Sequence, residues 1–506
     1  MLDATPLLAA YASRRLAALQ RMDPVKAQQR QLKTLLRHAA GTKFGERYSF
    51  GTIRTVADYQ VRVPLRRYED FWKEWWQPAF PSLVGVTWPG AISHIAASSG
   101  TTTGKTKYIP VSKQMVRSNR KAALDLLSHH LAAHPDTRIM GGRSFMLGGS
   151  TDLNLLAPGV YSGDLSGIAA RNLPFWAKGR YFPPPRLARI ADWNEKVDIL
   201  APLSLEANLR MIGGTASWLL SFLERAITLK SGATCIADIY PGLELLVHGG
   251  VNFAPYRRRF DELLEGSHAE TREVYPASEG FVALADRGPA DGMRLLFDNG
   301  IFFEFVPVED LDSPTPTRHW LGNCEIGRNY AVVLTTNAGL WSYILGDTIR
   351  FVDRDGPRLI VTGRTSYTLS AFGEHLIGEE IESAVAGAAE KLGVHVSDYS
   401  VGALYPATSG DKGRHLYLIE LSEPANRDVG ERLAGEIDHA LAEANLDYRE
   451  HRAGDLQMLS PLVKLVPAGT FARWMQSRGK LGAQNKVPRI INDAELFASL
   501  RDAAKD

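Results

Sequence analysis

Residues Ser98-Ser99-Gly100-Thr101-Thr102-Thr103-Gly104-Lys105-Thr106-Lys107-Tyr108 set hydroxyls, glycines and two lysines directly after the short strand-like lead-in 92–97. A strand that empties into such a loop is built to wrap a polyphosphate. Glycine lets the backbone approach, amides and hydroxyls donate to phosphate oxygens, and lysine neutralises charge. The Walker A pattern, G-x-x-x-x-G-K-[ST], fails by one position: counting back from Gly104 puts Ser99 first, and Gly100 stands one residue too close. Taken alone, the loop reads equally well as a polar surface connection.

The chain around this loop alternates helical and strand patterns through its first two-thirds, which predicts an α/β core. Apolar spacing predicts helices over 26–39, 112–133 and 205–229, and strands over 243–247, 281–285 and 330–336. Residues 295–306 read as a hairpin turning at Asn299-Gly300, and 309–316 as an exposed loop. A second short strand pair is expected around Gly346-Asp347, with 349–352 following. Leu7, Ala10, Tyr11, Leu16, Leu19 and Met22 predict an N-terminal amphipathic helix seated on the core.

After about residue 367 the character changes. A helix is expected over 376–392, strands over 399–404 and 416–421, a helix over 428–444, a strand over 462–466, a helix from 470, and a final surface helix over 493–506. That order suits a small α+β domain. The expected division is 1–367 and 368–506, since 506 residues exceed what one core serves.

Fifty-eight basic against 56 acidic residues leave a net charge of +2, so no global field recruits nucleic acid or a membrane. Cys235 and Cys324 are the only cysteines, which excludes a disulfide scaffold and a Cys-rich metal site. The stretch Leu7-Leu8-Ala9-Ala10 precedes Arg14-Arg15 rather than following them, unlike a signal peptide. No apolar run reaches membrane-spanning length. A soluble, cytoplasmic protein is expected.

Four further clusters carry chemistry. Val247-His248-Gly249-Gly250 runs a strand into a Gly-Gly turn. A planar adenine can lie against Gly249 and Gly250 because no side chain intrudes, although a plain turn reads the same way. His248 is either a base or a satisfied structural residue. Tyr275-Pro276-Ala277-Ser278-Glu279-Gly280 joins a ring, a hydroxyl and a carboxylate. Glu279 is of the type that holds Mg²⁺ on a triphosphate; the alternative is an exposed turn with a solvated carboxylate. Tyr343-Ile344-Leu345-Gly346-Asp347 places an acid beyond a strand, where it accepts from ribose hydroxyls or belongs to a hairpin turn. Arg364 is a cation near the expected boundary, or a surface charge. Gln484-Asn485-Lys486-Val487-Pro488-Arg489 puts Lys486 on a polar loop.

In this order the segments resemble the adenylate-forming superfamily of acyl and aryl acid ligases. Its signature is a Ser/Thr/Gly-rich phosphate loop ending in Gly-x-x-Lys, a Ser-Glu pair, a Gly-Asp and a late lysine. Within it, the chain is most similar to the auxin-responsive (Gretchen Hagen type) acyl acid–amido synthetases. Thr103 matches that family's extra loop residue, Tyr275–Glu279 its Tyr-x-x-Ser-Glu element, Leu345-Gly346-Asp347 its Gly-Asp motif, and Gln484–Arg489 its Gln-x-Lys-x-Pro-Arg ending. Phe44-Gly45 and Val63-Pro64 resemble its N-terminal region.

The resemblance implies a large N-terminal α/β domain binding ATP and an acid, and a smaller mobile C-terminal α+β domain. It implies that Ser98, Ser99, Gly100, Thr101, Thr102 and Thr103 cradle phosphates that Lys107 screens. Gly249, Gly250 and Tyr275 border the adenine, Ser278 touches the acyl-adenylate and Glu279 holds Mg²⁺. Asp347 takes the ribose hydroxyls, Arg364 ribose or phosphate, and Lys486 the α-phosphate side. The implied reaction joins a small carboxylic acid to an amino acid with ATP and Mg²⁺. An acyl- or aryl-CoA ligase shares the first half-reaction, and a catalytically silent nucleotide sensor is the alternative of a different class. The acid pocket is expected between the loop and 147–220, where Trp176, Trp218, Leu219 and Phe222 line it or fill the core.

Overall fold

The computed structural model describes all residues except 1, 100–105, 191, 251–252, 289–290, 312, 355, 366–367, 370, 373, 375, 406–411, 427, 446–447, 450–451, 453–457, 479–486 and 506. The chain divides into two compact units. One comprises Met1–Leu345 with Ile349–Val361, the other Gly346–Thr348 with Thr362–Asp506. No helix among the described residues is long and apolar enough to cross a membrane.

The strands in chain order are β1 (His94–Ser99), β2 (Thr106–Val111), β3 (Arg143–Leu147), β4 (Asn154–Ala157), β5 (Val160–Gly163), β6 (Tyr181–Phe182), β7 (Leu209–Gly214), β8 (Leu245–Gly249), β9 (Glu270–Ala277), β10 (Gly280–Leu284), β11 (Met293–Leu295), β12 (Ile301–Pro307), β13 (His319–Trp320), β14 (Asn329–Thr336), β15 (Tyr343–Asp353) and β16 (Arg358–Arg364). A small sheet has the order β2-β1-β5-β4, and a large one runs β13-β12-β14-β15-β16-β11-β10-β9-β8-β7-β3-β6. The β6-β3-β7-β8-β9 side is parallel, whereas β9, β10, β11 and β16 pair antiparallel.

Parallel strands are covered on both faces and need continuous apolar runs, which Leu245-Leu246-Val247 supplies. Strand β12 is buried at every position. Its Glu304 survives there because the Arg318 guanidinium lies 2.8 Å from the carboxylate and Ser342 Oγ donates to it at 3.0 Å; an unpaired charge would be far costlier. Helix Pro24–Ala39 starts with Asp23 accepting from the Val25 and Lys26 amides and Pro24 in the first turn. Its buried Gln28 donates to the Phe297 and Ile301 carbonyls and accepts from the Phe303 amide, so no polar group is stranded.

Several expectations change. Residues 295–306 do not form a hairpin: β11 pairs with β10 and β16, and β12 with β13 and β14. Gly300 has φ +79°, but Asn299 is not left-handed, so a type I′ turn is excluded. The crossing is held instead by Asp298, which accepts from Arg15 and Lys121. Residues 205–229 are not one helix. Helix Trp193–Leu205 ends, β7 enters the sheet between β3 and β8, and helix Ala216–Thr228 follows. Leu209-Arg210-Met211-Ile212 satisfies either period, and its neighbours in the sheet decide. Gly346-Asp347 is not a turn, because β15 runs through it with Gly346 at φ +95°. In helix Thr5–Gln20 the buried face is Leu8, Ala12 and Leu19, while Leu7 is exposed.

The second unit holds a sheet of β19 (Val396–Leu404), β20 (Arg414–Leu421) and β21 (Leu462–Val466), preceded by the short pair β17 (Thr368–Leu369) and β18 (Leu376–Ile377). Helices Gly378–Leu392 and Val429–Ala444 bury Ile381, Val385 and Ala388 with Leu433, Ile437 and Leu441 in one cluster with Tyr399 and Ile419. The last helix, Ala494–Ala503, is not merely a surface element. Phe497 and Leu500 are buried with Phe471 and Trp474.

Candidate functional site

Strand β2 carries Lys107 opposite Ser98 of β1, so the two arms of the Ser/Thr/Gly loop are a paired ladder. Lys107 Nζ sits 5.3 Å above the ring of Tyr68, a cation over an aromatic face. Tyr68 Oη accepts from the Tyr108 amide at 2.9 Å, and burial pushes its phenol up to about 12. Tyr343 stands at the start of β15. It is fixed by the Arg66 amide donating to Ser342 O at 3.0 Å and the Ile344 amide donating to Arg66 O at 2.8 Å. Its hydroxyl donates to Glu279 Oε1 at 3.1 Å. Burial, then the Glu279 carboxylate, then Glu69 and Tyr68 raise the Tyr343 phenol well above its ordinary value, so it stays a donor.

Glu279 is only 8% exposed, which overturns the reading of a solvated turn. It is set by the tight β9–β10 connection, where Gly280 pairs with Ala277. Tyr275 of β9 is buried and Ser278 half-buried. Glu279 is a buried carboxylate of the kind that binds a hard cation such as Mg²⁺.

At the end of β8, a Cβ on Gly249 would lie 2.2 Å from the Val274 carbonyl oxygen. Glycine there is demanded by the approach of β9, and Gly250 by its φ of +82°. His248 is stacked on Phe253 with ring centroids 3.7 Å apart. Burial and the nearby Arg257 lower its pKa to about 3, so it is neutral and structural rather than a base near neutral pH.

In the second unit the structure brings two expected residues together. Arg364 Nε donates to Asp347 Oδ1 at 2.9 Å, and Asp347 is 9% exposed. The Thr365 amide donates to Gly346 O at 2.9 Å, tying the segment at its glycine. Arg364 is therefore more than a surface charge. Arg489 pairs with Asp398, and Ser400 Oγ donates to Pro488 O at 2.5 Å. Gly100, Thr101, Thr102, Thr103 and Lys486 lie outside the described residues, as do the side chains of Ser98 and Ser99.

Sequence reasoning missed Tyr68 altogether and gave Tyr343 no role. Only the quoted Tyr343–Asp347 run held a signal for the latter. It also missed Lys196, which is buried and donates to the Gly148 and Gly149 carbonyls, each at 2.9 Å. Burial lowers the Lys196 pKa and raises that of its neighbour Asp164 to about 6. Both lie within the region expected to border the acid pocket. Leu219 and Phe222, offered for that pocket, are fully buried core. Trp218 packs at a tilt against Trp193 with centroids 4.0 Å apart, and the Trp176 side chain is outside the described residues.

Models of the GH3 family match in domain order: its N-terminal domain over residues 15–151, its central domain over 294–364 and its C-terminal domain over 379–495. The chain is 28% identical over 241 residues to the indole-3-acetic acid-amido synthetase GH3.3 of Arabidopsis thaliana, covering 45% of this chain and 40% of that one. It is 30% identical over 240 residues to the probable indole-3-acetic acid-amido synthetase GH3.9 of Oryza sativa subsp. japonica, covering 43% and 53%. The matched stretch thus spans about half, or less, of these relatives' length. The solved structure of the GH3.15 acyl acid amido synthetase superposes with a TM-score of 0.78 at 18% identity, over 97% of this chain and 95% of that one. The fold is accordingly the α/β fold of that structure, with a large N-terminal and a smaller C-terminal unit.

Proposed function

Since this chain belongs to the GH3 family, we propose that it is an ATP- and Mg²⁺-dependent ligase that activates a small carboxylic acid as an acyl-adenylate and transfers the acyl group to the amine of an amino acid. The observation that carries the reading is the buried Glu279 carboxylate, which accepts from the Tyr343 hydroxyl at 3.1 Å. Beside it, Lys107 on the strand that leaves the phosphate loop lies over the Tyr68 ring.

The chemistry needs no nucleophilic side chain. A carboxylate is a poor electrophile because its leaving group would be oxide. Its attack on the α-phosphorus of ATP expels pyrophosphate, and the amine then attacks the acyl carbon, expelling AMP and losing a proton. Catalysis is positioning and charge neutralisation. In this reading residues 1–367 bind ATP and the acid, and 368–506 carry Lys486. Ser98, Ser99, Gly100, Thr101, Thr102 and Thr103 hold the phosphates with Lys107. Gly249, Gly250 and Tyr275 border the adenine, Ser278 the adenylate, Asp347 and Arg364 the ribose side, and Lys486 the α-phosphate. Bound at Glu279, Mg²⁺ supplies positive charge to the triphosphate.

The test is pyrophosphate release from ATP and Mg²⁺ with panels of aromatic, indole and fatty acids, hydroxylamine serving as acceptor. Acid-dependent release is expected, followed by amide formation with one or more standard amino acids. Thioester formation with CoA alone would instead favour the acyl-CoA ligase. No acid-dependent release across the panel would leave the nucleotide sensor.

A further inference from the structure

We propose that His130, His134 and Glu270 form a binding site for a divalent transition-metal ion of the zinc class, apart from the residues assigned to ATP. His130 lies in the last turn of helix Lys113–Ala133, and the amide of His134, the residue that caps the helix, donates to His130 O at 2.9 Å. The two imidazoles therefore share a face, with centroids 5.0 Å apart. Glu270, the first residue of β9, meets both. Its Oε1 is 2.6 Å from His130 Nδ1 and its Oε2 is 3.2 Å from His134 Nε2. One donor atom from each residue lies within 4.8 Å of the others. Zinc bonds nitrogen and oxygen at about 2.0–2.2 Å, so its ligands stand roughly 3.3 Å apart. The His134–Glu270 spacing already has that value, and the His130–Glu270 pair needs to open by several tenths of an ångström.

The surroundings complete the argument. His130 Nε2 lies 3.2 Å from Thr137 Oγ1, whose hydroxyl donates to Glu244. This hydroxyl–carboxylate pair sits on the Nε2 side of the ring while Nδ1 faces Glu270, the outer-shell arrangement that orients metal-binding histidines. Arg272 Nε, 2.6 Å from Glu270 Oε1, fixes the carboxylate and competes for that oxygen. The negative end of the helix dipole favours a cation at this point. A groove of about 550 Å³ lined by Asp261, Glu262, Glu265 and Glu270 offers an acidic approach, and His134 is 46% exposed. Three protein donors leave a position for water. An ion here pins the end of the helix to β9, at the opposite end of that strand from Tyr275, so its role is structural.

The experiment uses the full chain stripped with a chelator and desalted, titrated with Zn²⁺ against a chromophoric competitor and followed by thermal unfolding. About one ion per chain and a raised unfolding midpoint are expected. Outer-shell changes alone cost about 10–100-fold in affinity, so His134→Gln, which removes a ligand, should lose at least that much and the thermal shift. Glu270→Gln should behave alike, and His439→Gln, on a surface of the other unit, should bind as the parent does. His134 is exposed enough for its variant to fold. Affinity unchanged in His134→Gln, or no stoichiometric binding to the parent, overturns the proposal.

Discussion

The phenol of Tyr343 donates to Glu279 at 3.1 Å with both residues closed from solvent, so the carboxylate expected to meet Mg²⁺ is oriented before any substrate arrives. A hydrogen bond to a charged group is worth about 1.5–3 kcal/mol. Tyr343→Phe should therefore slow acid-dependent pyrophosphate release roughly 10- to 100-fold at limiting Mg²⁺, with recovery as Mg²⁺ is raised. Glu279→Gln should be slower still and recover less. If Tyr343→Phe matched the parent across the Mg²⁺ series, the contact would be packing and nothing more.

Asp347 and Arg364 form the second pair. Arg364 Nε at 2.9 Å fixes one carboxylate oxygen, and a lysine offers no such directional fork. Arg364→Lys should weaken ATP binding several-fold while the second unit remains folded, and Asp347→Ala should weaken it further. Equilibrium binding of a fluorescent ATP analogue, with circular dichroism as the folding check, measures both. Equal affinity in all three proteins removes the pair from the nucleotide site.

Much of the second unit was legible because its helices bury long apolar stripes. Ile381, Val385 and Ala388 repeat at helical spacing and pack as that spacing demands. The failures share a cause, which is that a local pattern cannot see its neighbours. Asn299-Gly300 is good hairpin chemistry, but β11 and β12 find better partners elsewhere in the sheet. Leu209-Arg210-Met211-Ile212 satisfies a helical period until β3 and β8 flank it, and Gly213-Gly214 already argues against a helix. The candidate site was legible where chemistry clusters in sequence, as at Ser278-Glu279. Tyr68 was not legible, because it stands near Lys107 only through the fold.

Asp298 holds the crossing that replaced the expected hairpin. Burial would raise its pKa, but Arg15, at 2.8 Å, and then Lys121 outweigh that, and the folded value lies below the ordinary one. A depressed carboxylate contributes stability that is present above the unfolded pKa of about 3.9 and is lost as pH falls through the folded value. Removing one partner of a buried pair costs about 3–5 kcal/mol. Asp298→Asn should lose about that much at pH 7 in urea unfolding. It should also lose less than the parent on acidification through the carboxylate range. An acid response as steep as the parent's would assign the titration to other groups.

Lys486 is the residue on which the proposed adenylation role of the second unit turns. It lies three positions before Arg489, and that end of the segment is anchored. Arg489 pairs with Asp398 and covers the Tyr399 ring at 4.6 Å, and the Val401 amide donates to Arg489 O at 2.8 Å. A cation at the α-phosphate acts on charge that develops during transfer, so its loss belongs in the rate rather than in binding. Lys486→Ala should slow pyrophosphate release by about 10²–10³, with ATP affinity within about threefold of the parent, since phosphate contacts elsewhere are kept. Arg489→Ala, which frees the anchor and leaves the lysine, should lower the rate by a smaller factor and likewise spare binding. Single-turnover assays with saturating acid, beside equilibrium ATP binding, separate the two effects. An unchanged rate in Lys486→Ala would end the assignment, and a rate lost together with ATP affinity would move Lys486 from transfer to ground-state binding.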